Sequence, residues 1–326
     1  MKFAILGHLL DEKNIKEIPK EWIHEKIMFS SELDINGTKG YMTSIKLMAN
    51  QMMMLNRESV RRVILDAVLF VQDELDVGLI QLGGLTTSVT SGGVWLTEQK
   101  EYKGYVTHGD SYTAAVTCQA VRKALELRDK NISEQTIAVV GAYGIIGEAV
   151  SKILVPEFKH SILIGRREEP LKKLKEEVEG SFETTTELRT IDADVVVTAT
   201  SHPTALLKSE HLKKNAIVVD VSQPPNLSFD VCQKRPDVFR VDGGYVSFPE
   251  EYAFPIPGMP KGKIFACIAE AVMQAMENEH ENHVGSIDLD HLHKTEKWAE
   301  KYGYMLNELT NFGKPIKYVG GVNNSS

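Results

Sequence analysis

The sequence predicts an α/β protein built on a doubly wound parallel sheet, with an N-terminal α/β substrate domain before it and helices after it. Between Ile132 and Gly244, short apolar runs alternate with amphipathic stretches, and a glycine-rich turn joins one such run directly to a helical stretch. That alternation is typical of parallel strands connected by crossover helices. The predicted boundaries are 1–130 for the N-terminal domain, 131–245 for the sheet domain and 246–326 for a C-terminal segment that packs back on the first domain.

The N-terminal region is predicted to be mixed. A strand at Lys2–Gly7 leads into a loop region to about Lys39, and a long helical stretch covers Ser44–Leu75. The apolar run Leu79–Leu82 predicts a second strand. A helix should follow from near Gly109 to Leu127, because Asp110 or Ser111 can cap it.

The later elements follow the same reasoning. Strands are predicted at 136–140, 161–164, 194–199, 216–221 and 238–241, and helices at 145–154, 169–178 and 209–213. Two further helices are expected, at Gly262–Glu279 and 289–302. The Asn/Gly/Ser-rich end, Gly320–Ser326, is expected to be disordered.

The most informative motif is the turn after the strand at 136–140. Glycines at 141, 144 and 147 permit a tight turn, close approach of backbone N–H groups to a pyrophosphate, and close packing of helix on strand, respectively. The following helix end favours negative charge. We therefore predict a Rossmann-type dinucleotide site at Gly141, Ala142, Tyr143, Gly144, Ile145, Ile146 and Gly147, against the alternative of a purely structural turn.

The kind of dinucleotide is indicated by the end of the next strand. NAD sites usually carry Asp or Glu about 20 residues past the glycines. Here Arg166 and Arg167 occupy that region, which suits a 2′-phosphate and favours NADPH, although Glu168 and Glu169 leave a mixed-charge loop as the alternative. Thr200, Val221 and Gly243, at the ends of the later strands, complete the predicted cofactor-binding set.

Composition narrows the class of protein. The 326 residues carry 37 basic and 45 acidic side chains, a formal charge of −8 that argues against a nucleic-acid partner. Three cysteines, Cys118, Cys232 and Cys267, are too few for a disulfide scaffold and fit free thiols in the cytoplasm. No apolar run approaches the ~20 residues that span a bilayer, so no transmembrane segment is predicted.

Four blocks of sequence carry a resemblance to a known family: Leu82–Thr87, Thr107–Ala115, the turn Gly141–Gly147, and Gly262–Ala271. Together with Ile5–His8 and Val241–Gly244 they resemble the long-chain acyl-[acyl-carrier-protein] reductases, whose wider fold is similar to shikimate dehydrogenase and glutamyl-tRNA reductase. The resemblance implies reduction of an acyl thioester to a fatty aldehyde with NADPH. The family often has His at the position of Tyr112, and the stretches 8–40 and 245–260 differ from it in length and content.

The resemblance implies a covalent mechanism centred on Cys267. Cys267 would attack the thioester of an acyl carrier protein or coenzyme A, hold the fatty acyl chain as a new thioester, and be regenerated when hydride from NADPH releases the aldehyde. Its place early in a helix, near Lys261 and Lys263, predicts a lowered thiol pKa. Without the resemblance, a lone helical cysteine would be an inert core residue.

The remaining site residues are open to more than one interpretation. The developing oxyanion needs N–H donors, and the candidates around the substrate are Gly83, Gly84, Gly109, Asp110 and Ser111, which are equally typical of ordinary turns and caps. His108 is a candidate acid or base, or a structural histidine. The methionines at 42, 48 and 52–54 suggest either an acyl pocket or plain core. Arg57, Arg61 and Arg62 suggest a docking face for an acidic carrier.

Two other functions compete with the reductase. One is a direct alcohol–ketone dehydrogenase like shikimate dehydrogenase, for whose usual Lys–Asp pair the N-terminal region has no convincing match. The other is a non-catalytic NADPH sensor. The histidines at 280, 283, 291 and 293 do not form H-E-x-x-H, and no metal site is predicted.

Overall fold

The computed structural model describes residues 1–9, 18–202, 204–249, 254–256 and 259–316. The predicted disorder at Gly320–Ser326 therefore lies outside the described residues. The chain divides into two compact units. The first contains the described parts of Met1–Asp110, Phe248–Ile287 and Lys297–Tyr302, and the second those of Ser111–Ser247, Asp288–Glu296 and Gly303–Ser326. The boundaries drawn from the sequence, after 130 and after 245, stay predictions.

The elements up to residue 107 begin with four strands, and a pair of helices precedes each of the two later strands. In chain order they are β1 (Phe3–Leu9), β2 (Ile27–Phe29), β3 (Leu33–Ile35), β4 (Thr38–Met48), α1 (Ala49–Met54), α2 (Arg57–Leu75), β5 (Leu79–Leu82), α3 (Leu85–Val89), α4 (Val94–Thr97) and β6 (Tyr105–Thr107).

The remaining elements start with a long helix and continue to residue 315. They are α5 (Asp110–Leu127), β7 (Thr136–Val140), α6 (Ile145–Leu154), β8 (His160–Ile164), α7 (Glu168–Glu177), β9 (Phe182–Thr185), β10 (Val195–Thr198), β11 (Ile217–Asp220), α8 (Phe229–Lys234), β12 (Phe239–Asp242), β13 (Tyr245–Ser247), β14 (Lys263–Phe265), α9 (Ala266–Met276), α10 (Leu289–Tyr302), β15 (Thr310–Asn311) and β16 (Lys314–Pro315).

The sheet of the first unit has the order β2-β4-β1-β5-β6, with β3 also paired to β4. Strands β4, β1, β5 and β6 are parallel, whereas β2 and β3 run antiparallel to β4. One face packs Leu6, Ile80 and Leu82 against Ile64 and Val68 of α2. Because side chains alternate between faces along a strand, Thr107 points to the opposite face from Val106, and there it meets α9.

The sheet of the second unit has the order β9-β8-β7-β10-β11-β12, and all its pairings are parallel. Numbered within the unit, this is the order 3-2-1-4-5-6 of a dinucleotide-binding doubly wound sheet. The predicted α/β class, with a parallel Rossmann-type sheet, is confirmed. The chain order reverses between β7 and β10, so ligands of such sheets bind beyond the carboxyl ends of these two strands.

Several predicted elements are wrong in detail. Ser44–Met48 belongs to strand β4, not to a helix, because it pairs with β1 and β2; the helical stretch that follows is broken near Leu55. The predicted loop before Lys39 contains β2 and β3. The helix expected from Gly262 starts only at Ala266, after strand β14. The helix expected at 209–213 is a 3-10 turn, Ser209–His211, and β9 was not predicted.

Candidate functional site

The glycine turn of the second unit leaves the end of β7 with a sharp reversal. Gly141 has a φ of +89°, a value that favours glycine, and its N–H donates to the carbonyl of Ile164 at 2.9 Å. The N–H of Ala142 donates to the same carbonyl, and that of Gly144 to Gly141 O. These three groups are therefore used within the turn. The first N–H groups of α6, from Ile145 onward, have no intrahelical acceptor and face any bound anion.

The other two glycines of the turn differ in how much room they have. A Cβ on Gly147 would overlap the carbonyl oxygen of Gly141 and lie 2.8 Å from its carbonyl carbon. A Cβ on Gly144 would lie 3.1 Å from the same oxygen and 3.6 Å from Ala199 O. Gly147 is therefore required for α6 to pack on the turn, while Gly144 has an ordinary backbone conformation, φ −72°, and keeps the space before the helix open.

The predicted phosphate-binding arginines lie at the carboxyl end of β8, the strand beside β7. Both Arg166 and Arg167 are exposed. The Arg167 guanidinium carbon lies 5.6 Å from the centroid of the Tyr143 ring, a cation–π arrangement. That ring fills the space that a Cβ on Gly165 would occupy. The turn and the two arginines are thus brought together on neighbouring strands.

The remaining predicted cofactor residues follow the next three strands of the same sheet. Thr200 lies beyond β10, where its N–H donates to Ser222 Oγ at 3.0 Å and its hydroxyl to Asn226 Oδ1 at 2.7 Å. The N–H of Val221 donates to Thr198 O, and that of Gly243 to Asp220 O. All three residues therefore lie at the carboxyl edge of this sheet, the edge that the glycine turn also occupies.

A buried ionic network at the same edge was not predicted. Arg240 on β12 is 3% exposed and donates to Asp242 at 2.6 Å and to Asp220 at 3.3 Å. Asp242 also accepts the Thr310 hydroxyl and the N–H of Gly313, from the β15–β16 hairpin. The alternating Asp and Arg within apolar strand runs is the sequence signal that could have revealed this network.

The first unit contains the predicted nucleophile. Cys267 is the second residue of α9, closer to the helix start than the sequence predicted, and it is partly exposed. The predicted lowering of its thiol pKa is wrong. Burial, together with the carboxyl groups of Asp110 and Glu270, raises the pKa of the Cys267 thiol to about 12. Burial and these carboxyl groups together outweigh the effect of the helix end, so the resting side chain is a thiol.

The segment after β6 packs directly on Cys267. Gly109 has a φ of +73°, and a Cβ there would overlap the Cys267 carbonyl oxygen and lie 2.7 Å from its Cα. The N–H of Gly109 donates to Thr107 Oγ1 at 3.0 Å, and that hydroxyl donates to Glu270 Oε1 at 3.3 Å. Glu270 is fully buried and was not predicted as a site residue, although its spacing of three from Cys267 places both on one helix face.

His108 and Asp110 form the entry to α5. His108 is 2% exposed, and its Nδ1 accepts the N–H of Asp110 at 2.9 Å. The same Nδ1 lies 3.7 Å from Asp110 Oδ2. The ring therefore fixes the start of the helix, and its acid–base role stays a prediction. Ser111, the next residue, is 1% exposed.

Most of the predicted oxyanion donors are already used within the protein. The N–H of Gly83 donates to Leu6 O, that of Gly109 to Thr107 and that of Asp110 to His108. The expectation that these N–H groups face a substrate is wrong. Gly84, with a φ of +62°, instead allows His8 of β1 to approach, because a Cβ there would lie 2.8 Å from His8 Nε2.

The methionines do not form one group. Met52 is buried in the core of the first unit, whereas Met53 and Met54 are 61% and 86% exposed.

Of the predicted docking arginines, Arg57 and Arg61 donate to Val89 O at the end of α3, and Arg62 is exposed. The other cysteines differ from Cys267: Cys118 is buried in α5 and Cys232 lies in α8.

No helix in the described part of the chain combines the length and the apolar character needed to cross a lipid bilayer.

Comparison with known proteins supports an oxidoreductase. Residues 122–243 match the family model of shikimate / quinate 5-dehydrogenase. The chain is 30% identical over 194 residues to a long-chain acyl-[acyl-carrier-protein] reductase of Synechococcus elongatus, covering 56% of this chain and 55% of that protein. It is 25% identical over 290 residues to aminotransferase PigE of a Serratia species, covering 85% of this chain and 33% of that protein. The chain thus spans about half of the first relative and one third of the second.

Among solved structures, similarity is weak. Glutamyl-tRNA reductase from Methanopyrus kandleri matches with a TM-score of 0.33 and 23% identity, over 38% of this chain and 34% of that one. Shikimate 5-dehydrogenase from Listeria monocytogenes, in complex with shikimate and NAD, matches with a TM-score of 0.37 and 10% identity, over 90% and 96%. The family match over residues 122–243 and the sheet order together support an NAD(P)-dependent oxidoreductase of the shikimate dehydrogenase type.

Proposed function

We propose that this protein reduces a fatty acyl thioester to a fatty aldehyde with NADPH, through an acyl thioester on Cys267. The observation that carries the proposal is the position of Cys267 in the first turn of α9, with the backbone of Gly109 packed against it. The neighbouring carboxyl groups of Asp110 and Glu270, which act on its thiol, add support for a chemical role. The acyl reductase relative supports the substrate class.

The second unit fits NADPH. The helix end after the glycine turn would hold the pyrophosphate, and the exposed pair Arg166 and Arg167 would hold the 2′-phosphate. Thr200, Val221 and Gly243 would line the rest of the cofactor at the same sheet edge. Bound NADPH would supply the hydride that reduces the acyl group.

The residues of the first unit would carry out acyl transfer. The Sγ of Cys267 attacks the thioester carbonyl, a new C–S bond forms, and the carrier leaves as a free thiol. Exchange of one thioester for another is nearly thermoneutral, so the thioester carbonyl needs little activation. The step does need a group that accepts the proton of the attacking thiol and donates one to the leaving thiol. Since the resting thiol has a pKa of about 12, its proton must be removed during attack.

The partner in this proposal is an acyl carrier protein or coenzyme A bearing a fatty acyl chain. Arg62 is exposed on α2, and Arg57 and Arg61 lie on the same helix, so this basic stretch is the proposed docking face for an acidic carrier. The exposed Met53 and Met54, just before α2, place apolar surface next to it.

A second candidate follows from the family match. Residues 122–243 match the family of shikimate / quinate 5-dehydrogenase, which favours a dehydrogenase that transfers hydride directly between NADP and an alcohol or ketone. In that case Cys267 would take no covalent part. An NADPH-sensing protein without catalysis would likewise bind the cofactor but leave Cys267 unmodified.

One experiment separates these functions. Palmitoyl-CoA is incubated with the protein in the absence of NADPH, and the intact mass is measured. We expect one palmitoyl group on the wild type and on Cys118→Ala, and none on Cys267→Ala, whose NADPH titration should be unchanged because the glycine turn belongs to another unit. Aldehyde formation by Cys267→Ala on addition of NADPH would refute the covalent route and favour direct hydride transfer.

A further inference from the structure

A chain of contacts links a buried acid to the segment that covers Cys267. Glu270 is fully buried one turn after Cys267, and its Oε1 accepts the Thr107 hydroxyl at 3.3 Å. The oxygen of that hydroxyl accepts the N–H of Gly109 at 3.0 Å. Gly109 in turn lies against the Cys267 backbone. Glu270 and Thr107 therefore position the backbone from which the next residue, Asp110, extends.

Asp110 is the titratable residue that follows the Gly109 backbone packed on Cys267. Its side chain is 19% exposed. The groups around it are the His108 ring, which precedes it in the same segment, and Glu270 and Cys267 on α9. His108 Nδ1 accepts the Asp110 N–H, so this nitrogen is engaged at the start of α5. Asp110 is therefore a partly exposed carboxyl group that directly follows the Gly109 backbone packed on Cys267, and its charge acts on the thiol.

We propose that Asp110 is the catalytic acid–base residue for Cys267, and that Glu270 is a positioning residue that holds it through Thr107 and Gly109. This inference rests on the proposed thioester reduction. It assigns to Asp110 the uptake and the delivery of a proton in each half of the reaction.

In acyl transfer the proton only changes place. The Asp110 carboxylate takes the Sγ proton as the sulfur of Cys267 forms its bond to the acyl carbon. The same proton passes to the carrier sulfur as its C–S bond breaks, which returns Asp110 to the carboxylate and releases a neutral thiol. No oxidant or reductant takes part in this half.

In the reductive half one proton is consumed from solvent. Asp110 takes it up from water and delivers it to Cys267 Sγ when the C–S bond to the reduced acyl carbon breaks and the aldehyde leaves. The hydride of the proposed NADPH supplies the two electrons, and the proton supplied through Asp110 restores the thiol. The enzyme then returns to its starting state.

The electrostatics support this assignment. Burial raises the pKa of Asp110 to about 8, and the negative charge of Glu270 contributes to the rise. A group with a pKa near the working pH is the most effective proton carrier, because both of its forms are populated. The thiol of Cys267, with a pKa of about 12, does not ionise alone near neutrality and needs such a partner.

The test measures acylation of the protein by palmitoyl-CoA in the absence of NADPH. The rate of coenzyme A release is followed between about pH 6 and about pH 10. In the wild type the rate should rise with pH and level off above an inflection near 8. Asp110→Asn should be slower by about 10²–10⁴-fold at the plateau and lose the inflection. Its rate should instead rise about tenfold per pH unit, since only the free thiolate then reacts.

Two further variants make the test specific. In Glu270→Gln the amide oxygen still accepts from Thr107 but the negative charge is gone, so the inflection should move to lower pH. Asp66→Asn, an exposed position on α2, is the matched control and should reproduce the wild-type profile. Melting temperatures check that each variant is folded.

Either of two results would overturn the inference. One is an Asp110→Asn variant that is acylated at the wild-type rate with the same inflection; Cys267 acylation itself would then still stand. The other is a Glu270→Gln variant whose pH profile has the same inflection as the wild type. This result would overturn the inference even if Asp110→Asn does not fold. Failure of the wild type to acquire palmitate at Cys267 would instead overturn the proposed function, and this inference with it.

Discussion

Alanine at position 147 should destabilise the second unit, whereas alanine at position 144 should leave it folded but impair NADPH binding. The added methyl at 147 would overlap the carbonyl oxygen of Gly141 and approach its carbonyl carbon to 2.8 Å. Both are backbone atoms and cannot rotate away. At 144 the methyl would lie 3.1 Å from the same oxygen, which a shift of a few tenths of an ångström relieves.

The magnitudes follow from these contacts. Forcing a methyl group into packed structure destabilises a protein by about 1–3 kcal/mol. Replacing glycine by alanine inside α6 stabilises the helix by up to about 1 kcal/mol, because alanine has the higher helix propensity. We expect a net loss of about 2 kcal/mol for Gly147→Ala, because backbone atoms oppose the change. At about 2–4 °C per kcal/mol, its melting temperature should fall by about 4–8 °C. Gly144→Ala changes an N-cap and should cost about 1 kcal/mol or less.

The assay pairs thermal melting with NADPH titration of each variant. Gly144→Ala should bind NADPH more weakly at nearly wild-type stability, and Gly144→Val should not bind it at all, because the side chain enters the space reserved for the pyrophosphate. Wild-type melting of Gly147→Ala, or a wild-type Kd for Gly144→Val, would show that the turn does not work in this way.

Two other predictions concern charged groups of the second unit. Replacing Arg166 and Arg167 together by alanine should weaken NADPH binding but hardly change NADH binding, since charge-assisted bonds to a phosphate contribute about 1.5–3 kcal/mol each; equal loss of both cofactors in paired titrations would contradict this. Asp242→Ala should lower the free energy of unfolding by about 3–5 kcal/mol, because the buried Arg240 keeps Asp220 at 3.3 Å but loses its partner at 2.6 Å, and the buried donors of Thr310 and Gly313 lose their acceptor. Urea unfolding measures this loss, with Asp192→Asn at an exposed site as control, and an unchanged midpoint would argue against it.

The parallel sheet of the second unit could be read from the sequence because its strands are continuous apolar runs. Strands that are buried on both faces leave this signal, as at β8 and β10, where every residue of Val195–Thr198 is buried. Strand β9 leaves none, because Phe182–Thr185 is short and only partly buried.

Two strands were mistaken for helix because local preference and tertiary pairing disagree. Lys46, Leu47 and Met48 are good helix formers, yet they lie at the end of β4, whose pairing with β1 continues to Met48 opposite Leu9 and so favours the extended conformation. The same conflict affects Lys263–Phe265, which forms β14 before α9 begins.

For the candidate site, the sequence reveals the residues but not how their hydrogen bonds are used. The spacing of Cys267 and Glu270 on one helix face is visible in the sequence. The approach of Gly109 to Cys267 depends on a contact between distant parts of the chain, and so does the use of the Gly83 N–H by Leu6 O. Such contacts use up the N–H donors, and burial with the carboxyl groups of Asp110 and Glu270 raises the thiol pKa, so the donors and the pKa were both predicted wrongly.

The packing of Tyr143 over Gly165 has a consequence for how this site can vary in evolution. Any side chain at 165 would displace the ring, and with it the partner of the Arg167 guanidinium. A smaller residue at 143 would leave a gap over the glycine. Substitutions at 143 and 165 are therefore coupled: related proteins should keep an aromatic residue with glycine, or change both positions together.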